Sequence, residues 1–368
     1  MKYCSLFVLC CAQFVFGWGS TGHKIINKNA VMHLPPTMKN FIDQQAFLEA
    51  HSTDADTRKT NDTAMFSEQY RHYLDVDEYP DFKNLNRNFS VLVSTYGWAR
   101  VKGNGTNPWA IVWTMDSLTA QLKRGDWNSA YQSAADLGHY VGDPHQPLHA
   151  ANNYDGKLTG NTGIHSRYET TMLGKFTAQI SVKKDTVRYI SDVYGFAFDF
   201  ILKSNALCDS IFRADNAGKA ASGSSYNAVY YDTLWSRLGT MTKNQIQLAT
   251  VDLASLWYTA WVNAGLLSKP AGVKKESSSK LKSFNLEQNY PNPFNPKTTI
   301  RFNVPQQSNV RIDILSPEGK QIVSLVNEHC EEGSYSTDWD ASNMASGVYF
   351  YRLEADNFTQ TKKLLFIK

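Results

Sequence analysis

The spacing of the apolar residues changes ahead of residue 284, and this change divides the chain into two unlike parts. In the first part apolar residues recur at intervals of three and four, which is the period of an amphipathic helix. In the second they alternate, as over 300–304, in short stretches separated by turn residues. The pattern predicts a mainly α domain over 18–267 and an all-β sandwich domain over 284–368. The clearest helical stretches are 109–124, 127–141 and 244–267.

Residues 268–283 join the two parts and match neither pattern. Their sequence, SKPAGVKKESSSKLKS, is rich in Lys and Ser and has no apolar period. This composition is typical of a flexible linker. Gly265 and Pro270 are stop signals for the helix that precedes it.

Residues 1–17 have the layout of a secretory signal peptide. Lys2 gives the positive start and a short apolar run follows it, while Val15 and Gly17 are small enough to flank a cleavage site. The apolar run is too short to span a bilayer. We therefore expect an exported protein whose mature chain begins at Trp18.

Cysteine content and charge limit the other possibilities. Cys208 and Cys330 are the cysteines beyond the signal peptide and fall in different domains, so we expect no disulfide framework. The net charge is +3, and over 18–268 the 23 Lys and Arg residues match 23 Asp and Glu residues. Charge alone therefore gives no support for binding of duplex nucleic acid.

Histidines and carboxylates are concentrated in one segment of the helical part, 139–169. His139 and Asp143 are four residues apart, so on a helix they share one face, and His165 and Glu169 repeat that spacing. His149 lies between the two pairs. Imidazole and carboxylate groups are the nitrogen and oxygen ligands that zinc accepts.

A single pair of this kind is more often a hydrogen-bonded surface pair than a metal site. Two pairs with a histidine between them, inside thirty-one residues, are hard to explain as a solvated face. We therefore interpret the segment as metal-binding. His145 is expected to take no part, and His33 and His51 are expected to be ordinary surface or loop histidines.

Two further motifs extend the pattern to a known family. The sequence WGSTGH begins at Trp18, directly after the expected cleavage site, and DADTRK with RHYLDVDEYP carries Asp56 and His72. Together with the segment 139–169, they resemble the zinc-dependent phospholipase C and single-strand-specific nuclease superfamily over about 18–265. The resemblance implies a helical catalytic domain of the phospholipase C and nuclease type, and a site of three zinc ions.

The resemblance also implies a role for each ligand. Trp18 would bind one zinc through its freed α-amino nitrogen and carbonyl oxygen, with His23 beside it. Asp143 would join this zinc to a second, and a third would be held separately. The implied ligands of the second zinc are Asp56, His72, His139 and Asp143, and those of the third are His149, His165 and Glu169. Asp54 lies on the same segment as Asp56 and is the alternative to it.

The chemistry that the resemblance implies is hydrolysis of a phosphodiester by water activated between zinc ions, with Asp56 and Asp143 as the carboxylates of the catalytic centre. Four residues are candidates for contact with the substrate, although solvation or loop packing would explain each of them equally well. They are Arg58, Lys59, Phe66 and Tyr154. The sequence contains no recognisable Ser-His-Asp or Cys-His nucleophile set and no phosphate-binding glycine loop.

Features of the sequence point to the substrates of two different branches of the superfamily. The motifs at Trp18 and His72 look closest to the nucleases and favour single-stranded nucleic acid. The short connection from His149 to His165, and Glu169 in place of an aspartate, look like phospholipase C and favour phospholipid. We expect the nuclease branch, since the loops 59–69 and 150–164 carry no basic amphipathic stripe for a membrane surface.

The second part of the chain resembles a different family. LEQNYPNPFNPKTTIRF at 286–302 and SGVYFYRLEADNFTQTKKLLFIK at the C-terminus resemble the two ends of the type IX secretion C-terminal sorting domain. The resemblance implies secretion or cell-surface location, with the secretion machinery as a partner. A carbohydrate- or lipid-binding module is the alternative, but this part has no clustered acidic loop and Trp339 is its one tryptophan.

A non-enzymatic protein whose zinc ions only hold the fold is the alternative from another class. Structural zinc sites use four protein ligands and commonly cysteine, which is absent from the segment 139–169. The implied ligand sets leave open positions, and so they favour catalysis. We expect no stable protein partner.

Overall fold

The computed structural model describes residues 18–59, 68–266, 274–277, 283–342 and 344–368. The proposed signal peptide and Phe66 lie outside these ranges, as does most of the proposed linker. Among the described helices, none has the length and apolar content that crossing a membrane would require.

The first part of the chain is helical, as the apolar period predicts. Its helices are α1 Gly19–Ala30, α2 Lys39–Ile42, α3 Gln45–Ala50, α4 Asp54–Arg58, α5 Phe89–Tyr96, α6 Trp98–Gly103, α7 Asn107–Lys123, α8 Trp127–His145, α9 Ile164–Ser166, α10 Leu173–Phe176, α11 Val193–Asn205, α12 Cys208–Ser222 and α13 Ala228–Asn263. The 36-residue helix α13 packs against α1, α7, α8 and α12. Aromatic side chains fill this core, with Trp109 and Trp257 fully buried.

Helices α1 and α8 approach each other closely, and this contact positions the site. Gly142 of α8 lies against the ring of His23 in α1, since a Cβ atom at Gly142 would come within 3.0 Å of His23 Nδ1. Any larger residue at 142 would push the two helices apart. His23 can therefore stack on His139, with ring centroids 3.8 Å apart.

Helix α8 extends beyond the stretch 127–141 that the apolar period predicts. Pro144 lies in the last turn, and the helix ends at His145. Proline has no N–H, so the carbonyl of Tyr140 loses its helical donor. The side chain of Asn107 replaces that donor, with Asn107 Nδ2 at 2.9 Å from the Tyr140 carbonyl oxygen. The prediction of a helix over 127–141 was therefore one turn too short at its C-terminal end.

The second part of the chain forms two antiparallel four-stranded sheets. The strands are β1 Lys274–Ser277, β2 Asn285–Leu286, β3 Lys297–Val304, β4 Ser308–Leu315, β5 Gln321–Cys330, β6 Gly333–Asp340, β7 Gly347–Ala355 and β8 Phe358–Phe366. One sheet has the order β1-β6-β3-β2 and the other β5-β4-β7-β8. Trp339 of the first sheet packs edge-on against Tyr349 of the second, with ring centroids 5.5 Å apart.

The alternation seen in the sequence corresponds to the inner faces of this sandwich. Ile300, Phe302 and Val304 are buried on β3, while Arg301 between them is exposed. Four residues of the proposed linker, Lys274–Ser277, form β1 and pair with β6. The sandwich therefore takes its first strand from within the segment expected to be a linker.

Candidate metal centre

Helix α8 presents His139 and Asp143 one turn apart on the same face, and both are fully buried. His139 Nε2 lies 3.4 Å from Asp143 Oδ2. His72, which follows the helical turn Glu68–Arg71, brings its Nδ1 to 3.0 Å from His139 Nε2 and 2.9 Å from Asp143 Oδ2. Three ligand atoms thus converge on one point inside the helical domain.

Asp56 of α4 is the fourth member of this cluster. Its Oδ1 lies 3.4 Å from His139 Nε2 and 3.8 Å from His72 Nδ1. Asp54 points elsewhere, since its Oδ2 contacts His51 Nδ1 at 2.7 Å. The structure therefore brings Asp56, and not its neighbour, to the histidines.

The second predicted pair forms a separate cluster with His149. His149 lies in the turn Pro147–Ala150, His165 in α9, and Glu169 in a π-helical turn over Arg167–Met172 that keeps Glu169 on the same face as His165. His149 Nε2 and His165 Nε2 are 3.1 Å apart. Glu169 Oε2 lies 2.8 Å from His165 Nε2.

The protonation of these rings shows why the clusters suit a cation. His149 Nδ1 lies 2.8 Å from the His72 carbonyl oxygen, and His165 Nδ1 lies 3.3 Å from the Tyr154 carbonyl oxygen. A carbonyl only accepts, so each Nδ1 carries the hydrogen and each Nε2 of the neutral rings holds a lone pair. When both rings are neutral, two lone pairs face each other at 3.1 Å, and a proton or a metal ion between them relieves the repulsion.

The same logic applies to His139, whose Nδ1 lies 2.8 Å from the Ser52 carbonyl oxygen. Two ligands of a tetrahedral zinc at its usual bond lengths are about 3.3 Å apart. The atom pairs of both clusters lie between 2.8 and 3.8 Å. The residues therefore fit such an ion in donor type and in spacing.

His23 lies at the edge of the first cluster, and Trp18 precedes it by five residues in the chain. His23 Nε2 is 3.4 Å from Asp143 Oδ1, and neither ring nitrogen of this fully buried histidine has a hydrogen-bond partner. Trp18 directly precedes α1, is fully buried, and packs against Tyr168. A buried imidazole with both nitrogens unsatisfied is costly, and a bound cation would satisfy one of them.

Asp143 lies between the groups. Its Oδ2 faces His72 and His139, whereas its Oδ1 faces His23 and lies 3.7 Å from His149 Nδ1. One carboxylate thus contacts ligands of both clusters. Asp143 also stands between His23 and the histidines at 72 and 139, and its role in joining two zinc ions stays a prediction.

Charge interactions keep the carboxylates ionised in spite of burial. Burial raises the pKa of Asp143, but the charges of His139 and His72 outweigh it and hold that pKa well below its ordinary value. Burial lowers the pKa of His139, but Asp143 and Asp56 outweigh it and raise that pKa to about 9. The pKa of Glu169 is likewise lowered, against burial, by His165 and His149.

The candidate substrate contacts differ in their surroundings. Lys59 is buried, with its Nζ 2.5 Å from Asp56 Oδ1. Arg58 is held by two carboxylates outside the ligand set, with its Nη2 2.9 Å from Asp136 and its Nε 3.6 Å from Glu68. Tyr154 is partly exposed and stands edge-on to the His165 ring, with ring centroids 5.6 Å apart.

Two residues that support the ligands were missed in the sequence. Gln146 donates from Nε2 to Glu169 Oε2 at 3.0 Å, and Glu68 Oε1 lies 3.7 Å from His72 Nε2, on the side away from the cluster. Glu68 also accepts a hydrogen bond from the hydroxyl of Tyr140. Glu68 and His72 have the same four-residue spacing as the two ligand pairs, so the signal was present.

The remaining histidines of the helical part lie outside the clusters. His145 contacts Asp252 at 3.1 Å, and His33 contacts Thr250 at 3.1 Å. Both are buried, so His33 is not the surface or loop residue that was expected. Its burial follows from packing of the turn Val31–His33 against α13.

Two family models match the chain, one in each part. Residues 18–193 match the S1/P1 nuclease family, and residues 288–368 match the secretion system C-terminal sorting domain. Nuclease S1 of Aspergillus oryzae is 25% identical over 180 residues, which cover 45% of this chain and 57% of that protein. A probable serine protease of Bradyrhizobium tropiciagri is 24% identical over 199 residues, which cover 43% of this chain and 24% of that protein.

Among solved structures, the alpha-toxin of Clostridium perfringens from an avian strain is similar with a TM-score of 0.45 and 14% identity. The match covers 96% of this chain and 92% of the toxin. The chain spans about half or less of the curated relatives that it matches. Residues 18–193 are thus similar to the S1/P1 nuclease family, and residues 288–368 to the secretion system C-terminal sorting domain.

Proposed function

We propose that the chain is an exported zinc-dependent phosphodiesterase that cleaves single-stranded nucleic acid at a site of three zinc ions. The observation that carries the proposal is the approach of His149 Nε2 and His165 Nε2 to 3.1 Å, together with the position of Asp143 between His23 and His139. The match to the S1/P1 nuclease family supports the reaction class.

Each zinc would have its own residues. His149, His165 and Glu169 would hold one, and the cluster around His139 would hold a second with Asp143 shared. The third would be held by His23, Asp143 and the main chain of Trp18, once its α-amino group is free. When bound, such ions supply hydroxide near neutral pH and offset the charge of a phosphodiester.

The protein's own groups prepare this centre. Backbone carbonyls hold the Nδ1 hydrogens of His139, His149 and His165, so their lone pairs point inward without rearrangement. Lys59 neutralises Asp56 in the metal-free protein.

The surroundings of the site favour nucleic acid over a membrane. Tyr154 offers a partly exposed ring beside His165, and an aromatic ring stacks on a base for roughly 1–3 kcal/mol. Leu158, on the same loop, is exposed as a single apolar residue among polar ones. Among the described residues of the loops beside the site, one such residue is too little apolar surface to hold an enzyme on a bilayer.

A side-by-side assay tests the proposal. The mature, zinc-loaded protein is incubated with single-stranded DNA, RNA, duplex DNA and phosphatidylcholine vesicles, and Asp143→Ala serves as the inactive control. We expect faster cleavage of the single-stranded substrates than of duplex DNA, weak action on vesicles, and close to three zinc ions per chain.

Strong hydrolysis of the vesicles without cleavage of single-stranded DNA or RNA would move the protein to the phospholipase C branch. Zinc bound at full occupancy without hydrolysis of any phosphodiester would instead favour the non-catalytic alternative. In Asp143→Ala, we expect loss of metal and of stability together, because metal binding contributes directly to folding free energy.

A further inference from the structure

In the sheet β5-β4-β7-β8 of the sorting domain, the central strand β4 is buried on both faces at its C-terminal end. On β4, Val310, Ile312 and Ile314 point into the sandwich, and the residues between them point outward. The outward residues Asp313 and Leu315 are nevertheless buried, at 1% and 6% exposure. The outer face of a two-sheet sandwich ordinarily meets solvent, so another part of the chain covers this one.

The covering part is the helical domain. Arg311 Nη1 donates a hydrogen bond to Thr186 Oγ1 at 2.8 Å, and β5 packs against the turn Pro36–Met38. Thr186 is itself buried, although its neighbours Ser181 and Arg188 on the same extended segment are exposed. The contact is therefore local and directed at the centre of the sheet.

The centre of this contact is charged. Arg311 is paired with Glu354 and Asp313 with Arg352 across β4 and β7. Arg311 Nε lies 3.0 Å from Asp313 Oδ2, Arg352 Nε lies 2.8 Å from Glu354 Oε1, and Arg311 also contacts Glu354. These four side chains, which we call the ion-pair quartet, lie on the outward face and balance to zero net charge.

Two polar atoms at the contact complement each other. Asp313 Oδ1 and the Tyr258 hydroxyl of α13 are both buried, and neither has a hydrogen-bond partner. Burial raises the pKa of Tyr258, and the charge of Asp313 raises it further. Tyr258 therefore stays a neutral hydroxyl donor opposite an acceptor on the sorting domain.

We propose that the sorting domain docks on the helical domain through the ion-pair quartet, against Thr186 and Tyr258, and is not merely tethered by the linker. A contact whose central charges cancel within one domain suits an interface that must also dissociate. A face of this kind is well hydrated once separated, whereas the apolar face of a permanent interface would promote aggregation.

Cutting the linker tests the docking. A specific protease site is placed between 267 and 273 in the full chain, the purified protein is cut, and the products are run on size-exclusion chromatography. Circular dichroism establishes that both products remain folded. We expect the two products to elute together.

Matched variants locate the contact. Thr186→Arg places a positive charge against Arg311, and Ser181→Arg is its control on the exposed part of the same segment. Arg311→Glu reverses one charge of the quartet, and Lys363→Glu is its control on the exposed edge strand of the same sheet. We expect Thr186→Arg and Arg311→Glu to raise the dissociation constant of the cut halves about tenfold or more.

Three results would overturn the proposal. One is that the folded halves of the cut wild-type protein separate at once. The second is that Thr186→Arg retains its partner as well as Ser181→Arg does. The third is that Arg311→Glu, with both halves folded, behaves like Lys363→Glu. Because Thr186 lies on the helical domain, separation in Thr186→Arg cannot be explained by unfolding of the sorting domain's own sheet.

Discussion

At the scale of single residues, Trp18 carries the most specific chemical demand. Its α-amino group can bind zinc only when it is free and deprotonated. An extra residue ahead of Trp18 converts that amine to an amide. We therefore expect a Met-Trp18 protein to bind less zinc and to be at least about tenfold less active. Zinc analysis and phosphodiesterase rates of the two proteins check this. Full activity in Met-Trp18 would exclude the amine as a ligand.

Glu68 gives a second prediction at this scale. Among the first cluster's histidines, His72 turns its outer nitrogen to a carboxylate, whereas His139 turns its outer nitrogen to a backbone carbonyl. Contacts with His72 and Tyr140 and the charge of Arg58 overcome burial and lower the pKa of Glu68 to about 2, so Glu68 stays charged. Such a carboxylate orients the ring and makes it a stronger ligand.

We therefore expect Glu68→Gln to weaken zinc binding by about tenfold to a hundredfold. Competition with a chelator measures the affinity, and Glu49→Gln is the control, because Glu49 pairs with Lys28 at the surface. Unchanged zinc affinity in Glu68→Gln, with normal stability, would show that Glu68 only ties down Tyr140 and Arg58.

At the scale of elements, a buried ion pair fixes the loop between His149 and His165. Asp215 of α12 accepts hydrogen bonds from Arg167 at 3.0 Å and from Asn161 at 2.7 Å, and Arg167 in turn holds the Thr162 carbonyl at 2.8 Å. Removing one partner leaves an uncompensated buried charge. We expect Asp215→Asn to cost about 3 kcal/mol of unfolding free energy, and the exposed Asp209→Asn of the same helix to cost little.

The stability lost in Asp215→Asn should depend on pH in one direction. Hydrogen bonds from Lys219, Tyr230, Asn161 and Arg167 outweigh burial and lower the pKa of Asp215 in the folded protein. Its contribution is therefore complete above the unfolded pKa of about 3.9 and is lost as the pH falls through the folded value. Denaturant titrations should give a constant difference between wild type and variant above about pH 5 and a shrinking one below pH 4. A difference that grows on acidification would contradict this.

The sequence predicted the presence of helices and strands better than it predicted the residues at which they end. Four-residue spacing was enough to find both ligand pairs, because a helix places such residues on one face whatever else surrounds them. The choice between Asp54 and Asp56 needed the structure, since neighbouring residues on a short helix point in different directions. The length of α8 depended on Asn107, a distant side chain that replaces the donor lost at Pro144.

At the scale of the whole molecule, the proposed catalytic site and the sorting domain occupy separate parts of the chain. Every proposed ligand lies between Trp18 and Glu169, and the sorting domain begins more than a hundred residues later. We expect deletion of 284–368 to leave phosphodiesterase activity intact and to abolish passage across the outer membrane. Cell fractionation and activity assays check both parts. Loss of catalysis with zinc still bound would place part of the active site in the sorting domain.

The burial of Trp18 beside His23 has a consequence for the producing cell. If the first residue of the mature chain completes the zinc site, the newly made precursor is harmless to the cell's own nucleic acids. Signal peptidase would then act as the activating enzyme, and the same cut that commits the protein to export would switch it on. Toxicity would be kept outside the cytoplasm without any separate inhibitor.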